Sequence, residues 1–299
     1  MGKIETRNFG NGEISLLGFG LMRLPCLGSW EEIDRKAARA LIEEAIAGGV
    51  NYFDTAYIYH VGNSESLAGE TLSGYDRSAY HLATKMPLME EVIKNAGGVD
   101  SIFNAQLERC CVDYFDFYLL HGVTADALRM IGDLKIYETL AKKKTEGRIR
   151  HLGFSFHDNP ELLRRMTSDY DFDFAQIQLN YFDWEAQSAK EQYEILEGKK
   201  IPVHVMEPIK GGTLATLRPR ALKIFEEADS HASAASWALR WVASLSGVQV
   251  VLSGMSAMEQ LRDNIKTFTP FKPLTEEEYA VVEKALAEFK KTAAVPCTG

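Results

Sequence analysis

The stretch N-Y-F-D-T-A-Y-I-Y (51–59) is the part of the sequence from which the fold is best deduced. Its first residues, Asn51–Phe53, form a short apolar run typical of a strand, and Asp54 and Tyr59 follow where that strand ends. Similar runs recur along the chain, each followed by a stretch in which apolar residues repeat with the period of a helix. The runs are apolar nearly throughout, which indicates strands that are buried on both faces.

We predict eight strands from these runs, near Leu16–Phe19, Asn51–Phe53, Tyr80–Thr84, Asp116–Leu120, His151–Phe154, Phe174–Leu179, Val203–Met206 and Val248–Leu252. Helical stretches lie near residues 37–46, 64–72, 99–112, 133–146, 160–169, 186–197, 232–244 and 256–267. Eight strands that alternate with helices predict an α/β fold, and within that class a closed (β/α)8 TIM barrel. The longest interruption, Gly211–Ser230, is predicted to be a mobile loop.

The two ends of the chain lie outside this alternation. Residues 6–15 (T-R-N-F-G-N-G-E-I-S) predict an N-terminal β-hairpin, which we expect to cover the N-terminal mouth of the barrel. Residues 274–290 predict an extra C-terminal helix with Thr275 as its N-cap. We expect a single domain over residues 1–299, divided into a hairpin (1–15), a barrel (16–270) and a C-terminal helix and tail (271–299).

The charge balance of the chain narrows the choice of partners. The 33 basic and 42 acidic residues leave a formal net charge of −9, and we expect this acidic surface to repel nucleic acid and anionic membranes. No apolar run reaches the roughly 18–20 residues that span a bilayer, and residues 1–10 lack the apolar core of a signal peptide. We therefore expect a cytoplasmic protein with neither a nucleic-acid partner nor a membrane partner. Its four cysteines predict no disulfide framework.

Four polar residues at the ends of consecutive predicted strands carry the chemistry. Asp54 and Tyr59 follow the second strand, Lys85 ends the third in L-A-T-K (82–85), and His121 ends the fourth in F-Y-L-L-H (117–121). Barrels of this kind place their active sites at the carboxyl ends of their strands. Reduction of a carbonyl by hydride leaves a developing alkoxide that needs a proton donor. A tyrosine, with a pKa near 10, is a poor acid at neutral pH unless a cation lowers that pKa.

We therefore predict that Tyr59 is the proton donor and Lys85 the neighbouring cation, with Asp54 holding Lys85 and His121 orienting the carbonyl oxygen. Each residue taken alone has a structural alternative: a buried Asp–Lys pair, a packing aromatic or a hydrogen-bonded core histidine. Their placement on neighbouring strands favours carbonyl reduction. A metal-dependent hydrolase is disfavoured, because none of the seven histidines forms an H-x-H pair.

The motifs D-T-A-x-x-Y, A-T-K and L-L-H, in this order, resemble those of the aldo-keto reductases. Three further segments agree over nearly the whole chain: G-R-I-R-H-L-G-F-S (147–155), Q-I-Q-L-N-Y (176–181) and S-G-M-S with N-I (253–265). The resemblance implies a (β/α)8 barrel that binds NADPH or NADH across its C-terminal face. It also implies an oxidoreductase that reduces aldehyde or ketone carbonyls, with Tyr59 as general acid supported by Lys85, Asp54 and His121.

The resemblance further implies a set of cofactor-binding positions. Ser155 and Gln178 match residues that bind the nicotinamide carboxamide, Met206 stands where the family usually has a tyrosine stacked on the nicotinamide, and Asn264 matches an adenine contact. Ser253, Gly254, Met255 and Ser256 match the pyrophosphate and ribose-phosphate region. Gly254 and Gln260 occupy positions where a lysine and an arginine usually bind the 2′-phosphate of NADPH. The sequence therefore leaves both NADPH and NADH open as cofactors.

The C-terminal residues V-P-C-T-G (295–299), together with E-P-I-K-G-G (207–212), resemble a branch of the family that continues into a ferredoxin-like domain. There, Cys297 would be the first iron–sulfur ligand of a longer native chain, and an electron-transfer partner would be expected. The alternative is that Cys297 is a terminal thiol. No other metal ligand is predicted.

A second functional hypothesis stays open beside the enzyme. The same fold serves slow, cofactor-sensing regulatory subunits, and an intact set of catalytic residues does not exclude that role. For the enzyme we expect a small-molecule carbonyl compound as substrate. Five strand-end residues are candidates either for lining its pocket or for packing: Met22, Tyr57, His60, His157 and Trp184.

Overall fold

The computed structural model describes residues 2–10, 12–186 and 188–293. Within these ranges, eight parallel strands close into a barrel and an antiparallel hairpin precedes them. The hairpin consists of β1 (Thr6–Phe9) and β2 (Gly12–Ser15). The barrel strands are β3 (Leu17–Gly20), β4 (Tyr52–Asp54), β5 (His81–Pro87), β6 (Phe115–Val123), β7 (Ile149–Phe156), β8 (Phe174–Gln178), β9 (Val203–Met206) and β10 (Val248–Ser253).

The strands run around the barrel in chain order, and β10 pairs with β3 to close it. Each strand overlaps a predicted one, and the bounds of β9 agree with the prediction at both ends. The (β/α)8 barrel with an N-terminal hairpin and an extra C-terminal helix is therefore confirmed. The description of residues 1–299 as one domain with the three parts given above stays a prediction.

Helices follow the barrel strands and pack on their outer faces. They are α1 (Arg35–Ala47), α2 (Asn63–Leu72), α3 (Glu90–Asn95), α4 (Val99–Cys110), α5 (Ala125–Asp133), α6 (Ile136–Thr145), α7 (Pro160–Asp169), α8 (Asp183–Ala186), α9 (Ala189–Gly198), α10 (Pro219–Ala228), α11 (Ala234–Ala243), α12 (Met258–Thr267) and α13 (Glu276–Ala293). None of the helices in the described ranges is both long and apolar enough to cross a membrane.

The helix predicted near 133–146 is α6, which begins at Ile136, whereas α5 was not predicted; Lys135 lies between the two helices at φ +49°. One prediction was wrong. The segment Gly211–Ser230 is not a loop throughout, since it contains α10. This helix buries Ala221 and Phe225 and packs against α13, and the Phe225 ring stacks on Trp237 at 5.0 Å.

The apolar side chains form two cores. The larger one lies between the barrel strands and the surrounding helices. The smaller one fills the barrel itself and includes Phe9 from the hairpin. The Phe9 ring contacts Phe117, Phe174 and His204 near the beginnings of their strands, with ring centroids 5.1, 6.2 and 5.7 Å away. The hairpin therefore covers the N-terminal mouth, as predicted, which leaves the opposite mouth for a site.

Candidate active site

A cavity of about 610 Å³ opens at the carboxyl ends of the barrel strands, a volume in the range of small-molecule sites. Its wall combines residues from the loops after β3 and β4 with strand-end residues of β6 to β10 and the first turns of α12. Asp54, Tyr59 and His121 all line it. Three of the four predicted catalytic residues therefore meet at one cavity, although they lie far apart in the sequence, and the fourth, Lys85, is buried behind them.

Lys85 is the buried centre of this group. Its ammonium donates hydrogen bonds to Asp54 Oδ1 at 2.5 Å and to the Thr55 carbonyl oxygen at 2.7 Å. It also lies 4.8 Å from the centroid of the Tyr59 ring. Because β4 and β5 are neighbours in the barrel, Asp54 and Lys85 project side by side without any contribution from a loop.

The charges of this buried pair follow from these contacts. Burial lowers the pKa of Lys85, but Asp54 and Tyr59 raise it by more, and the pKa ends above its ordinary value. Burial raises the pKa of Asp54, and Lys85 lowers it only in part. We take Lys85 as charged, because its ammonium has two oxygen acceptors within hydrogen-bonding distance.

The phenol of Tyr59 differs from the expectation in one respect. Burial raises its pKa, whereas the charge and hydrogen bond of Lys85 lower it, and the pKa ends above 10. The prediction that Lys85 brings this pKa below its ordinary value is therefore wrong. Lys85 offsets only part of the effect of burial, and the phenol keeps its proton at neutral pH.

His121 faces Tyr59 across the cavity, with the two rings edge to face and their centroids 5.7 Å apart. Burial, and then the charges of Lys85 and His157, lower the pKa of His121 to about 3. The imidazole is therefore neutral at physiological pH. A neutral imidazole retains one N–H, which can donate to an oxygen held near Tyr59.

The backbone immediately after Tyr59 is strained. His60 and Val61 have φ of +50° and +53°, in the left-handed region that non-glycine residues rarely adopt. They lie in the short segment Tyr59–Gly62, which is kinked at these two residues and leads into α2. Such strain is typical of functional sites, where the surrounding structure imposes it. Here it directly follows Tyr59, which lines the cavity.

A buried hydrogen-bond network lies behind Lys85 and was not predicted from the sequence. Glu65 on α2 is fully buried and accepts hydrogen bonds from Thr84 at 2.6 Å, Gln106 at 2.7 Å and Arg109 at 3.2 Å. Gln106 also donates to the Lys85 carbonyl oxygen at 3.0 Å. The network thus fixes the backbone of Lys85 from outside the barrel. The available signal was a glutamate directly before the small and apolar residues S-L-A-G (66–69) of α2.

Most of the predicted cofactor positions line the same cavity: Ser155, Met206, Ser253, Gly254, Met255, Ser256, Gln260 and Asn264. Gln178 does not line it, and its amide donates to Asp183 Oδ2 at 2.9 Å. Gln176, two residues earlier on β8, lines the cavity instead. It is 3% exposed, and its Oε1 has no hydrogen-bond partner among the described residues. Of the two glutamines, Gln176 is therefore the one that lines the cavity, and its Nε2 donates to Met206 Sδ at 3.6 Å.

The hydroxyl of Ser155 is bound to the loop after β6. It accepts a hydrogen bond from the backbone N–H of Gly122 at 2.7 Å. Gly122 has φ of +70°, a conformation that favours glycine and turns this N–H toward Ser155. Because Gly122 directly follows His121, this bond also helps to fix the backbone at His121.

The segment between β10 and α12 is held by local hydrogen bonds. Gln260 Oε1 accepts from the backbone N–H of Ser256 at 2.9 Å, and Ser256 Oγ donates to the Arg23 carbonyl oxygen at 2.7 Å. Asn264 donates to Ser253 Oγ at 3.0 Å. Arg262 does not line the cavity and pairs with Glu44 at 2.8 Å.

Arg23 is a cavity residue that the sequence reasoning did not single out. It is the only lysine or arginine among the cavity-lining residues in the described part of the chain. Its aliphatic stem passes over Gly254, where an added Cβ would lie 3.1–3.2 Å from the Arg23 side chain. No hydrogen bond or ion pair of its guanidinium occurs within the described ranges, which leaves this cation available to an anion.

Of the five candidates for pocket lining, only Met22 and His157 line the cavity. The other three pack: Tyr57 lies under Arg109, His60 is buried under Trp30, and Trp184 contacts Tyr193 and Trp241. Among residues 2–10, 12–186 and 188–293, no group of three or more His, Cys, Asp or Glu side chains is placed to hold a metal ion. Cys297, the predicted iron–sulfur ligand, lies outside the described residues.

Comparison with known proteins agrees with this geometry. The oxidoreductase YqkF of Bacillus subtilis, itself uncharacterized, is 26% identical over 310 residues, covering 91% of this chain and 92% of the relative. The NADH-specific methylglyoxal reductase of Escherichia coli is 24% identical over 297 residues, with 84% of this chain and 89% of the relative covered.

Solved structures share the same fold. The holo form of the aldo-keto reductase AKR11C1 from Bacillus halodurans superposes with a TM-score of 0.76 at 27% identity, covering 94% of this chain and 96% of that one. The sequence model of the Aldo/keto reductase family matches residues 16–287, which include every barrel strand and all four predicted catalytic residues. This chain therefore belongs to the aldo/keto reductase family and is an oxidoreductase.

Proposed function

We propose that this chain reduces aldehyde or ketone carbonyls to alcohols, reversibly, with NADPH or NADH as hydride donor and Tyr59 as proton donor. One observation carries the proposal: a protonated phenol and a neutral imidazole line a single cavity, and a charged lysine is buried behind them, 4.8 Å from the centroid of the phenol ring. A carbonyl oxygen near Tyr59 and His121 would receive hydrogen bonds from both, and these bonds strengthen as negative charge develops on the oxygen.

Each residue of the tetrad has a distinct role in this proposal. Tyr59 transfers its proton to the developing alkoxide, which leaves a phenolate beside the Lys85 ammonium. Lys85 stabilises that phenolate, and Asp54 keeps Lys85 in place through the 2.5 Å hydrogen bond. His121 contributes a neutral N–H that orients the carbonyl oxygen, since its low pKa prevents it from competing as an acid.

The cavity wall fits a nicotinamide cofactor. The buried Oε1 of Gln176 is an acceptor without a partner in the described residues, and a carboxamide N–H would satisfy it. Ser155 lines the cavity beside it, and Met206 offers a soft, polarisable surface for the ring. The nicotinamide, when bound, supplies the hydride. Ser155, Gln176 and Met206 would fix which face of the ring meets the carbonyl carbon.

The phosphate groups of the cofactor need cations or backbone amides. We propose that Arg23 binds the diphosphate, together with the backbone at Ser253–Ser256. The adenosine end would lie along α12, where the cavity wall contains Gln260, Asp263 and Asn264. None of the described residues that line this part of the cavity is a lysine or an arginine that could bind a 2′-phosphate, which favours NADH over NADPH. Fluorescence titration with the two cofactors side by side tests this preference.

Tyr59→Phe tests the proposed reaction. We expect it to lower kcat/KM by at least about 100-fold while leaving the Kd of the reduced cofactor within about twofold, because only the proton donor is lost. Rates come from stopped-flow measurement of cofactor oxidation with a panel of aldehydes. Tyr57→Phe is the matched control, since Tyr57 packs against Arg109 outside the cavity, and it should turn over like the unchanged protein.

Full turnover by Tyr59→Phe would rule out the proposed donor. If the unchanged protein binds the cofactor but none of the aldehydes causes the cofactor to be oxidised, a regulatory subunit becomes the better explanation. A cytoplasmic location and an iron–sulfur domain beginning at Cys297 both stay predictions. Cysteine codons after Gly299 in the native gene are the check on the second.

A further inference from the structure

A buried carboxylate next to the cavity wall takes no part in the proposed proton transfer. Asp183 begins α8, and its side chain is 1% exposed. Its Oδ1 accepts a hydrogen bond from the Lys210 ammonium at 2.6 Å, and its Oδ2 accepts from Asn180 at 2.8 Å and from Gln178 at 2.9 Å. A buried charge needs such donors, so these contacts fix the carboxylate and the groups that donate to it.

The cation bound to Asp183 belongs to a loop that forms part of the cavity wall. β9 ends at Met206, and most of the residues that follow line the cavity: Glu207, Pro208, Ile209, Gly211 and Gly212. We call residues 207–212 the β9 loop. Lys210 lies within the β9 loop, but its side chain pairs with Asp183 instead of lining the cavity. The ion pair therefore joins this part of the wall to the segment after β8.

The backbone of the β9 loop has a conformation that two of its residues do not favour. Glu207 and Lys210 have φ of +53° and +48°, in the left-handed region that non-glycine residues rarely adopt. Gly211 and Gly212 follow at +62° and +100°. Strained backbone of this kind persists only where the surrounding structure imposes it. Contacts from outside the β9 loop must therefore hold it in shape.

Two buried side chains after β8 supply such contacts. Asn180 is fully buried and donates to the Glu207 carbonyl oxygen at 3.1 Å. Asp183 binds the Lys210 ammonium. Burial raises the pKa of Asp183, but its three donors lower it by more, so the carboxylate is charged at physiological pH. Each of the two strained non-glycine residues is thus held by one of these buried side chains.

The ion pair is also largely shielded from water. The Lys210 side chain is 25% exposed, and its ammonium lies 4.9 Å from the centroid of the Phe182 ring. Phe182 in turn packs edge to face on Phe289 of α13, with centroids 5.7 Å apart. Exposed ion pairs contribute little because water screens them, whereas a shielded pair with short hydrogen bonds can fix a backbone segment.

We propose that Asp183 is a positioning residue, which holds the β9 loop through Lys210 in the shape that binds the nicotinamide cofactor. The inference rests on the proposed carbonyl reduction with NADPH or NADH, because the β9 loop lines the same cavity as Ser155 and Gln176. Asp183 itself does not line the cavity. Its loss should therefore weaken cofactor binding and spare the chemical step.

Asp183→Asn tests this inference, because it keeps the shape of the side chain and removes the charge that binds Lys210. We expect the Kd of the reduced cofactor to rise about tenfold in fluorescence titration, while the single-turnover rate at saturating cofactor stays within about twofold. In the cofactor-free protein, backbone amides of the β9 loop should exchange with deuterium about tenfold faster. Lys210→Met should have the same effects, whereas Lys210→Arg, which keeps the cation, should keep the Kd within about threefold.

Asp173→Asn is the matched control. Asp173 pairs with Lys144 at the same distance of 2.6 Å, but it precedes β8 at the opposite end of the barrel. Asp173→Asn and Asp183→Asn should both lower the Tm, and only Asp183→Asn should change the Kd of the cofactor and the exchange of the β9 loop. Should Asp183→Asn fail to fold, Lys210→Met provides the same comparison at a partly exposed side chain.

An unchanged cofactor Kd in Asp183→Asn and Lys210→Met would overturn the inference. Equal losses of affinity in Asp183→Asn and Asp173→Asn would also overturn it, because they would show a general effect of lost stability. Failure of the unchanged protein to bind either cofactor would instead contradict the proposed function.

Discussion

The phenol of Tyr59 experiences two opposing effects on its pKa, burial and the Lys85 ammonium, and burial is the larger. The pKa therefore lies above 10, while that of His121 lies at about 3. Tyr59 loses its proton only in strongly alkaline solution, and His121 gains one only in strongly acidic solution. Both groups therefore keep one protonation state over the whole physiological range.

The first residue-scale prediction concerns pH. The kcat of carbonyl reduction should be level between about pH 5 and pH 9, because neither Tyr59 nor His121 titrates in that window. His121→Asn should lower kcat by the same factor at every pH in this window, so that the dependence of kcat on pH keeps its shape. Single-turnover rates across the window are the measurement. An acidic limb near pH 6.5 that disappears in His121→Asn would contradict a neutral His121.

A second prediction at this scale concerns Lys85. It tests whether the Asp54–Lys85 pair serves catalysis or only the stability of the fold. Lys85→Met leaves the buried Asp54 carboxylate without its cation and should lower the free energy of unfolding by about 3 kcal/mol. Lys85→Met with Asp54→Leu removes both charges and should recover most of that loss, yet turnover should stay at least about 100-fold down. Urea unfolding and stopped-flow rates measure the two effects. If the double variant recovered turnover as well as stability, the Asp54–Lys85 pair would have only a structural role.

Some site residues could be predicted from the sequence alone, and others could not. Asp54, Tyr59, Lys85 and His121 were predicted because each ends a strand that neighbours the next. Gln178 was predicted to bind the nicotinamide, but the sequence could not distinguish it from Gln176, because residues two apart on a strand face the same side. The structure distinguishes them: Gln176 lines the cavity and its Oε1 has no partner among the described residues, whereas the amide of Gln178 donates to Asp183.

At the scale of elements, the barrel strands could be predicted from the sequence, whereas several helices could not. A strand buried on both faces is a nearly continuous apolar run, so each of the eight left a clear pattern. Helix α10 left a weaker one, because it buries only Ala221 and Phe225 and lies outside the regular alternation. The break at Lys135 was not predicted, although Gly132 lies three residues before it.

Lys135 is the basis of an element-scale prediction. This exposed lysine adopts φ of +49° between α5 and α6, where glycine is not strained. Lys135→Gly should therefore raise the free energy of unfolding by about 0.5–1 kcal/mol. Lys142→Gly, at an exposed position in the last turn of α6, is the control and should lower it by about 0.5 kcal/mol. Urea titration of both variants provides the comparison, and a loss of stability in Lys135→Gly would show that its left-handed backbone carries no strain.

At the scale of the whole molecule, closure of the barrel brings the distant motifs together. The strand count predicted this closure, and closure places the ends of β4, β5 and β6 side by side. The contents of the cavity wall were less predictable, because loops contribute much of it. Arg23 and Trp30 come from the loop after β3, where no periodic pattern indicates which side chains face inward.

The opposite end of the barrel contains a charge cluster that supports the whole fold. Asp116, at the start of β6, is buried and pairs with Arg77 at 2.6 Å and Arg150 at 2.8 Å. It also accepts a hydrogen bond from the Leu82 backbone at 3.0 Å, which ties β6 to β5. Burial raises the pKa of Asp116, but His81, Arg77 and Leu82 lower it by more, and the pKa ends below 3.8.

A carboxyl group with a depressed native pKa stabilises the fold above its unfolded pKa and loses this effect as the pH falls through the native pKa. Asp116→Asn should therefore lower the free energy of unfolding by about 2 kcal/mol at pH 7, a modest value because water screens the half-exposed Arg150. The difference from the unchanged protein should shrink steadily below about pH 4. Asp126→Asn, at a side chain 99% exposed, should have no effect at either pH. Urea titrations at several pH values decide the matter, since a difference that persists undiminished in acid would mean that Asp116 stabilises the barrel by its shape and hydrogen bonds alone.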